Sequence, residues 1–298
     1  MVCPELCHRV QTYWIVMESL RVGIFGLMRI LITILLVASS YLQMSAQLGV
    51  ARSVDPASLG QGSILPLQGG RYQPLGNPAV LGMRGPTEVG AYVVQPFGLN
   101  DLAISYIHGA FHSGWGGLGA GIGYSGLNGF RSSTAHLAYG HALWNRLYAG
   151  LSLDGAFIDL SDYGHTSSIG LSGGVILPIR EALRLGILIR YPFAITTQGK
   201  QDLPVSYQAT LSYELNAALS VSVEWYQEEQ FKPDFRLGVT YSPIPQVPIR
   251  LGYQSLLNQF SVGAGYRWKE RLILDIAGGH HPFLGFTPSA GLRYTFLR

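Results

Sequence analysis

The sequence predicts an all-β protein, a transmembrane antiparallel β-barrel of about 14 strands with an N-terminal plug segment. The first observation is that apolar and polar residues alternate through most of the last two thirds of the chain, as in 219–226, which gives a strand two unlike faces. The second is that only 12% of the residues are charged, about half the fraction usual in a soluble domain. The third is that no clean run of about twenty apolar residues follows Leu42, which disfavours membrane-spanning helices.

The N-terminal residues predict an export signal. Arg29 precedes a short apolar core, and small residues ending at Ala46 follow that core. This is the arrangement of a cleaved secretory signal peptide. Met28 is then the expected initiator, so we divide the start into a mis-called upstream extension, 1–27, and a signal peptide, 28–46. The alternative is a long leader or an uncleaved anchor.

The positions of the cysteines and the charge balance argue against cysteine-based sites and nucleic-acid binding in the mature chain. Both cysteines, Cys3 and Cys7, precede Met28, so no disulfide, thiolate metal site or lipid-modified cysteine is available after cleavage. No cofactor is expected. Loss of three arginines and two glutamates with residues 1–46 leaves 17 basic and 15 acidic side chains in 252 residues. Such a balance is not typical of proteins that bind nucleic acid.

The mature chain divides into two parts. Residues 47–89 are rich in Gly, Pro, Gln and Ser without lasting periodicity, and we interpret them as a periplasmic or plug segment. Residues 90–298 form the predicted barrel. Its strands are expected at 90–97, 102–110, 115–124, 131–142, 146–158, 165–177, 183–191, 205–214, 218–227, 234–242, 248–256, 259–268, 271–279 and 287–296. An even number is usual in single-chain bacterial barrels, and a count of about 12 to 16 is compatible with the pattern.

The connections between predicted strands alternate in length, which indicates the orientation of the barrel. Longer outer loops, such as 192–204, alternate with tight periplasmic turns, such as 144–145. Aromatic residues cluster where strands should cross the membrane boundary; the alternative is the core of a soluble sandwich. The periplasmic rim would contain Trp115, Trp144, Tyr213, Tyr241, Trp268, Tyr294 and Phe296, and the outer rim Tyr191, Phe193, Trp225, Tyr253 and Phe260.

A short motif precedes the first predicted strand. Asn77, Pro78 and Ala79 are followed by small apolar residues, and this placement ahead of about fourteen strands resembles the FadL-type family of outer-membrane proteins. That family includes hydrophobic-substrate transporters and PorV/PorQ-like barrels of the type IX secretion system. The run 281–287 looks like the last hairpin of PorV-like chains, and the Ala-Gln cleavage site is similar to those of the Bacteroidota.

The C-terminal run 290–296, with Tyr294 and Phe296, resembles the signal that the barrel assembly machinery recognises. The family resemblance as a whole implies a non-enzymatic protein of the cell outer membrane, exported through the inner membrane, with 47–89 as a hatch and Asn77 capping a short turn. An ordinary turn that closes the lumen without gating is the alternative role for Asn77.

The resemblance implies protein secretion or surface attachment of the type IX kind as the function. The alternatives are a FadL-like transporter or channel for small hydrophobic molecules, and a structural or adhesive barrel. Expected partners are outer-membrane lipid, the assembly machinery, and secretion-system proteins or secreted cargo, without nucleic acid. Gly and Ser dominate the predicted lumen face, which gives a hydrophobic substrate little support.

Charged residues fall on the predicted inner face. Arg184 and Glu214 should meet at the periplasmic ends of neighbouring strands, and Asp275 should lie between two arginines. Opposite charges across strands stabilise modestly, whereas an unpaired buried charge is costly. We therefore expect ion pairs that fill the lumen, with a substrate-binding ladder as the alternative. The lumen charges are Asp154, Arg184, Arg190, Glu214, Glu224, Arg250, Arg267, Asp275 and Arg293.

Sequence motifs of enzymes fail their context tests. Residues 121–126 match G-x-G-x-x-G without a following helix, and 170–174 match G-x-S-x-G but continue as a strand. We interpret the glycines of 116–123 instead as a thin wall that lets the plug backbone approach. The histidines assemble no acid-base relay and no metal site with a carboxylate pair, so neither a catalytic nor a metal site is expected. They are His136, His141, His165, His280 and His281.

Overall fold

The computed structural model describes most of the predicted mature chain. The described residues are 54–68, 71–127, 129–144, 147–161, 164–197, 203–229, 231–269 and 271–296. The predicted upstream extension 1–27, the signal peptide 28–46 and the first plug residues, 47–53, lie outside them.

Fourteen strands form a closed antiparallel barrel in which each strand pairs with its sequence neighbours and β1 pairs with β14. The prediction of a 14-stranded barrel is confirmed. The barrel begins at Thr87, three residues before the predicted start at Gly90. The strands are β1 (Thr87–Val94), β2 (Ile104–Ser113), β3 (Gly116–Leu127), β4 (Phe130–Trp144), β5 (Leu147–Leu160), β6 (Gly164–Arg180), β7 (Leu183–Thr196), β8 (Ser206–Glu214), β9 (Leu219–Glu228), β10 (Asp234–Ile244), β11 (Val247–Gln254), β12 (Gln259–Trp268), β13 (Leu272–His281) and β14 (Gly285–Phe296).

The two faces of each strand differ because side chains alternate across a pleated backbone. On β9, Glu224 is fully buried and Tyr226 is buried, whereas Val223, which precedes them, is exposed. Large apolar side chains such as Ile122 and Leu137 cover the outer surface of the barrel. Within the part of the chain that the structure describes, no helix is long and apolar enough to cross a membrane.

The connections at the two ends of the barrel differ in length. The end where β1 begins carries short turns such as 114–115, and the opposite end carries longer connections such as 95–103, which contains two 3-10 turns. Since outer loops are normally longer than periplasmic turns, we interpret the end with short turns as periplasmic.

A bulge in β7 changes one of the predicted rim residues. The β6–β7 register shifts between Leu171 and Ser172, and Tyr191 has a φ of 55°. The Tyr191 ring consequently lies against Gly170, whose position faces inward. Tyr191 therefore belongs to the lumen rather than to the predicted outer aromatic rim, while Phe193 is 74% exposed.

The described plug residues, 54–68 and 71–86, lie inside the barrel. A short helix, α1 (Pro56–Gly60), contacts β11–β14 and β1, and a 3-10 helix over Pro78–Gly82 contacts β3–β6. The two helices therefore contact opposite arcs of the wall, and the chain between them crosses the lumen. Plug side chains such as Ile64 and Leu81 are fully buried.

Glycine lines the wall where it meets the plug. A Cβ at Gly140 would lie 2.5 Å from the carbonyl oxygen of Pro78, and one at Gly238 would lie 2.7 Å from that of Gln61. These positions need glycine because the plug backbone approaches the wall so closely. The set, which we name the glycine belt, is Gly117, Gly119, Gly140, Gly150, Gly174, Gly186, Gly238, Gly252, Gly263 and Gly291.

The predicted glycine stripe on β3 is only partly of this kind. Gly117 and Gly119 face Leu81 and Tyr72 of the plug. Gly121 and Gly123 instead make room for the ring of Tyr106 on the neighbouring strand, and Gly116 is the first residue after the 114–115 turn, at a φ of 128°.

Candidate functional site

The Asn-Pro-Ala motif forms a turn that is tied to the barrel wall. Asn77 precedes the 3-10 helix, and its side-chain oxygen accepts a hydrogen bond from the Ala79 amide at 3.0 Å. Its side-chain nitrogen donates to the carbonyl oxygens of Val175 on β6 and Ile187 on β7, at 3.3 and 3.1 Å. One buried amide therefore holds the turn to two strands, and the glycine at 174 leaves room for it.

Charged side chains of the wall form a second attachment, to the plug backbone at Ser63 and Leu65. The Arg236 guanidinium donates to Asp234 at 2.6 Å, to Glu224 at 3.0 Å and to the carbonyl oxygen of Ser63 at 3.2 Å. Glu224 also accepts from the Leu65 amide at 3.2 Å. We call Glu224, Asp234 and Arg236 the plug latch, because charged groups of β9 and β10 bind the backbone of the plug directly.

Polar residues of the wall surround Tyr72 of the plug. His136 is hydrogen-bonded to Asp154, which also accepts from Ser172 at 3.1 Å. The Tyr72 ring stacks on His136 and meets His108 edge-on, with centroids 5.9 and 6.2 Å apart. Burial raises the pKa of the Tyr72 hydroxyl well above its ordinary value, so the group remains neutral at physiological pH.

This arrangement does not form a nucleophilic triad. The serine hydroxyl donates to Asp154 and not to His136, whereas a triad needs the hydroxyl on the histidine. His141 and His165 are exposed and far from this group in the fold, on the periplasmic and outer ends of the barrel. In the described ranges, no three His, Cys, Asp or Glu side chains are placed to hold a metal ion.

The predicted lumen charges occupy several different settings. Arg184 lies 2.5 Å from Glu214, the pair expected at the periplasmic end, and Arg190 is buried in the lumen. Arg293 lies 3.5 Å from Glu88, a residue outside the predicted set. Arg267 lines a cavity at the periplasmic end.

Asp275 has a partner that the sequence did not indicate. We expected it to lie between Arg267 and Arg293, but its carboxylate is 2.7 Å from Arg250, two strands away. Gly265 on the intervening strand explains this reach, because a Cβ there would meet both Asp275 and Arg250.

Replacement of Asp275 by alanine would leave Arg250, which is buried, without its carboxylate. We expect the folded barrel to lose heat resistance in a gel-shift assay, since breaking a buried ion pair from one side costs about 3–5 kcal/mol. Replacement of the exposed Arg131 by alanine is the control. Unchanged heat resistance together with lost transport would instead indicate a substrate-binding ladder.

Several site residues escaped the sequence reasoning. Asp234 and Arg236 alternate with Phe235 and Leu237, so the period-two pattern could have identified them. Asp55 and Arg71 lie in the plug, which has no strand periodicity, and Glu88 was missed because the barrel starts at Thr87 and not at the predicted Gly90. Burial opposes ionisation of Asp55, but Arg71 and hydrogen bonds from Ser58 outweigh it and lower the pKa of Asp55.

The outer half of the lumen is more apolar than the sequence suggested. Tyr92, Val94 and Tyr106 form a buried cluster, and the two tyrosine rings stack with centroids 5.5 Å apart. Ile104 and Leu203 are also buried. We call Tyr92, Val94 and Tyr106 the outer aromatic cluster; it lies at the end of β1 and β2 remote from the periplasmic turns.

The outer surface of the barrel carries an apolar recess of about 660 Å³ across β2–β6. Exposed Phe111, Leu118, Leu137 and Leu151 form its sides, and Ala120 lies on its floor. It lies in the half of the wall nearer the periplasmic turns. The recess therefore faces the lipid that surrounds the barrel.

Solved structures with the same fold include two toluene transporters and a FadL homologue. The toluene transporter TbuX of Ralstonia pickettii has a TM-score of 0.60 and 12% identity, with 82% of this chain and 99% of that chain covered. The toluene transporter TodX of Pseudomonas putida has a TM-score of 0.59 and 13% identity, covering 83% and 98%. A FadL homologue of Pseudomonas aeruginosa has a TM-score of 0.57 and 12% identity, covering 85% and 100%.

These identities show a shared fold. No family model matches the sequence, and no curated protein matches it. The resemblance to the FadL-type fold is thus confirmed as a resemblance of fold, and the PorV/PorQ-like branch stays a prediction.

Proposed function

We propose that the protein is an outer-membrane channel for small hydrophobic molecules, with monoaromatic hydrocarbons as the substrate class. A channel for small hydrophobic molecules was the alternative prediction from the sequence, which did not indicate the monoaromatic class. The observation that carries it is the apolar recess on the lipid-facing wall, placed where the plug lies directly behind the strands. Similarity in fold to the two toluene transporters supports the same choice.

The wall between plug and recess contains little side-chain material. Gly109 faces the recess, and Gly119 faces the Tyr72 ring of the plug. Ala110 and Ala138 of the wall form one buried cluster with Tyr72 and Leu81 of the plug. An apolar molecule that reaches the plug is therefore separated from lipid by one layer of backbone and small side chains.

The outer aromatic cluster supplies the entrance in this proposal. Tyrosine rings combine flat apolar faces with polar edges, so this buried part of the lumen is suited to packing against an aromatic molecule. The β2–β3 and β3–β4 ladders are continuous along the recess. Release into lipid therefore requires the plug and these strands to shift locally. Gly109 and Gly119 have no side chains that would obstruct a molecule passing between the strands.

Replacement of Ala120 by tryptophan should fill the recess without disturbing the lumen, because Ala120 faces outward. We expect toluene uptake by cells that express the protein to fall at least about tenfold, since a bulky ring occupies the exit. Ala264, another outward alanine on the distant strand β12, gives the control Ala264→Trp, which should transport normally. Equal uptake in both variants would refute the recess as the exit.

Protein secretion of the type IX kind, with its secretion-system or cargo partners, stays a prediction from the sequence. The similar structures favour the channel instead.

The proposal also includes a cleaved signal peptide, assembly through Tyr294 and Phe296, and a non-enzymatic role. Determination of the first residue of the mature protein by mass spectrometry tests the cleavage after Ala46.

A further inference from the structure

A cavity of about 1030 Å³ lies at the periplasmic end of the lumen, beneath the plug. Plug residues Leu65 and Leu67 line one side of it, and the turns that contain Asn216 and Gln246 line its mouth. We call it the periplasmic vestibule. It is separate from the recess and the outer aromatic cluster, which serve the proposed channel.

The charges that line the vestibule are strongly unbalanced. Five cationic side chains reach its surface, together with one carboxylate, Glu214, which is already bound by Arg184 at 2.5 Å and by Gln68 at 3.0 Å. The five cations are Arg71, Arg250, Arg267, Lys269 and Arg293.

The carboxylates that balance the arginines are not among the residues that line the vestibule. Asp55 lies 3.5 Å from Arg71, and Glu88 lies 3.5 Å from Arg293, so both of these pairs are long. Charged hydrogen bonds are normally shorter, about 2.7–2.9 Å. The guanidinium groups therefore keep donor capacity beyond these two pairs.

Arg267 is the least compensated cation of the group. Among the described residues, its side chain forms no ion pair or hydrogen bond, and it is repelled by the positive charges of Arg293 and Arg71. The nearby Asp275 is taken by Arg250 at 2.7 Å. The buried Nε atoms of Arg71 and Arg250 likewise find no hydrogen-bond partner in the described part of the chain.

We infer that the periplasmic vestibule binds an oxyanion, a carboxylate or phosphate group carried by a small molecule on the periplasmic side. Guanidinium groups bind such planar or tetrahedral oxyanions through paired N–H donors. A cavity with one sign of charge and low-dielectric walls also concentrates the opposite ion. The apolar side formed by Leu65, Leu67 and Ile273 would accommodate the organic body of an aromatic acid.

The test is isothermal titration calorimetry on the purified full-length protein in detergent micelles, with sodium benzoate and inorganic phosphate as probes. We expect benzoate to bind, more weakly as salt is added, and the Arg267→Gln variant to weaken binding at least tenfold. Arg180→Gln is the matched control, because Arg180 lies at the same end of the barrel and does not line the vestibule.

The two probes distinguish the sources of the group. Displacement of benzoate by phosphate would support a site for the oxyanion alone, and benzoate binding without such displacement would support a site for an organic acid. Lys269→Gln, at the mouth of the vestibule, provides a second variant that should weaken binding severalfold.

Absence of binding by both probes would overturn the inference. An equal loss of binding in Arg267→Gln and Arg180→Gln would do so too, since it would indicate general surface charge. The toluene uptake assay uses an uncharged molecule and a different variant, so either proposal can fail without the other.

Discussion

Replacement of Arg236 by leucine is expected to release the plug from β9 and β10 and to destabilise the folded barrel. The side chain is 5% exposed, and its removal takes a cation away from two buried carboxylates, Glu224 and Asp234, both within 3.0 Å of it. Breaking a buried pair from one side costs about 3–5 kcal/mol. The Ser63 carbonyl also loses its donor.

Two measurements check the expectation. Heat-induced unfolding on a gel should occur at a lower temperature than in the wild type, and ion conductance through single barrels in a planar bilayer should rise as the plug moves. The control Arg131→Leu removes an exposed arginine at the outer end of β4 and should change neither readout.

A triple variant distinguishes two effects of the Arg236→Leu substitution, namely the cost of burying two carboxylates without the guanidinium and the loss of its contact with the plug. Arg236→Leu combined with Glu224→Gln and Asp234→Asn removes all three charges of the plug latch, and neutral groups cost less to bury than isolated ions. We expect this variant to recover part of the lost heat resistance. If the single variant already melts like the wild type with a closed pore, the plug latch has no holding role.

Replacement of Gly252 by alanine is expected to displace the plug by a steric route. A Cβ at this position would overlap the backbone of the plug at Gln61 and Gly62, which cannot move aside as a flexible side chain would. Gly62 itself adopts a φ of 72°, so the plug backbone has little freedom there. Overpacking of this kind costs about 1–3 kcal/mol and occasionally more.

The matched control is Gly155→Ala, on the outward face of β5. A Cβ at Gly155 would find its nearest heavy atom at 3.8 Å, an ordinary contact. We expect higher conductance and earlier heat unfolding in Gly252→Ala alone. A closed, heat-stable Gly252→Ala barrel would show that the glycine belt tolerates side chains and does not set the position of the plug.

The strands could be predicted because their pattern is local. Each of the 14 strands was located from alternation within about ten residues, and most bounds lie within a few residues of the observed ones. The exception on β7 has a physical reason. A bulge adds one residue to a strand, so the inward face switches at Tyr191, which no alternation can indicate in advance.

The candidate site was predicted less completely. The lumen position of Glu224 follows from its place between Val223 and Trp225, but its contact with Leu65 joins residues 159 positions apart. We predicted that Asp275 would pair with Arg267 or Arg293, because strand register indicates only which residues are neighbours on adjacent strands. Its reach to Arg250 depends on a missing side chain at Gly265.

The sequence by itself determined that the chain closes into a barrel with an apolar outer face, because a period of two fixes which side chains share a face. Only the tertiary structure decided the route of the plug and the partners of the buried charges. The physical reason is that barrel closure brings residues far apart in sequence to the same depth of one lumen. Within the lumen, residues come into contact where a glycine leaves room for them.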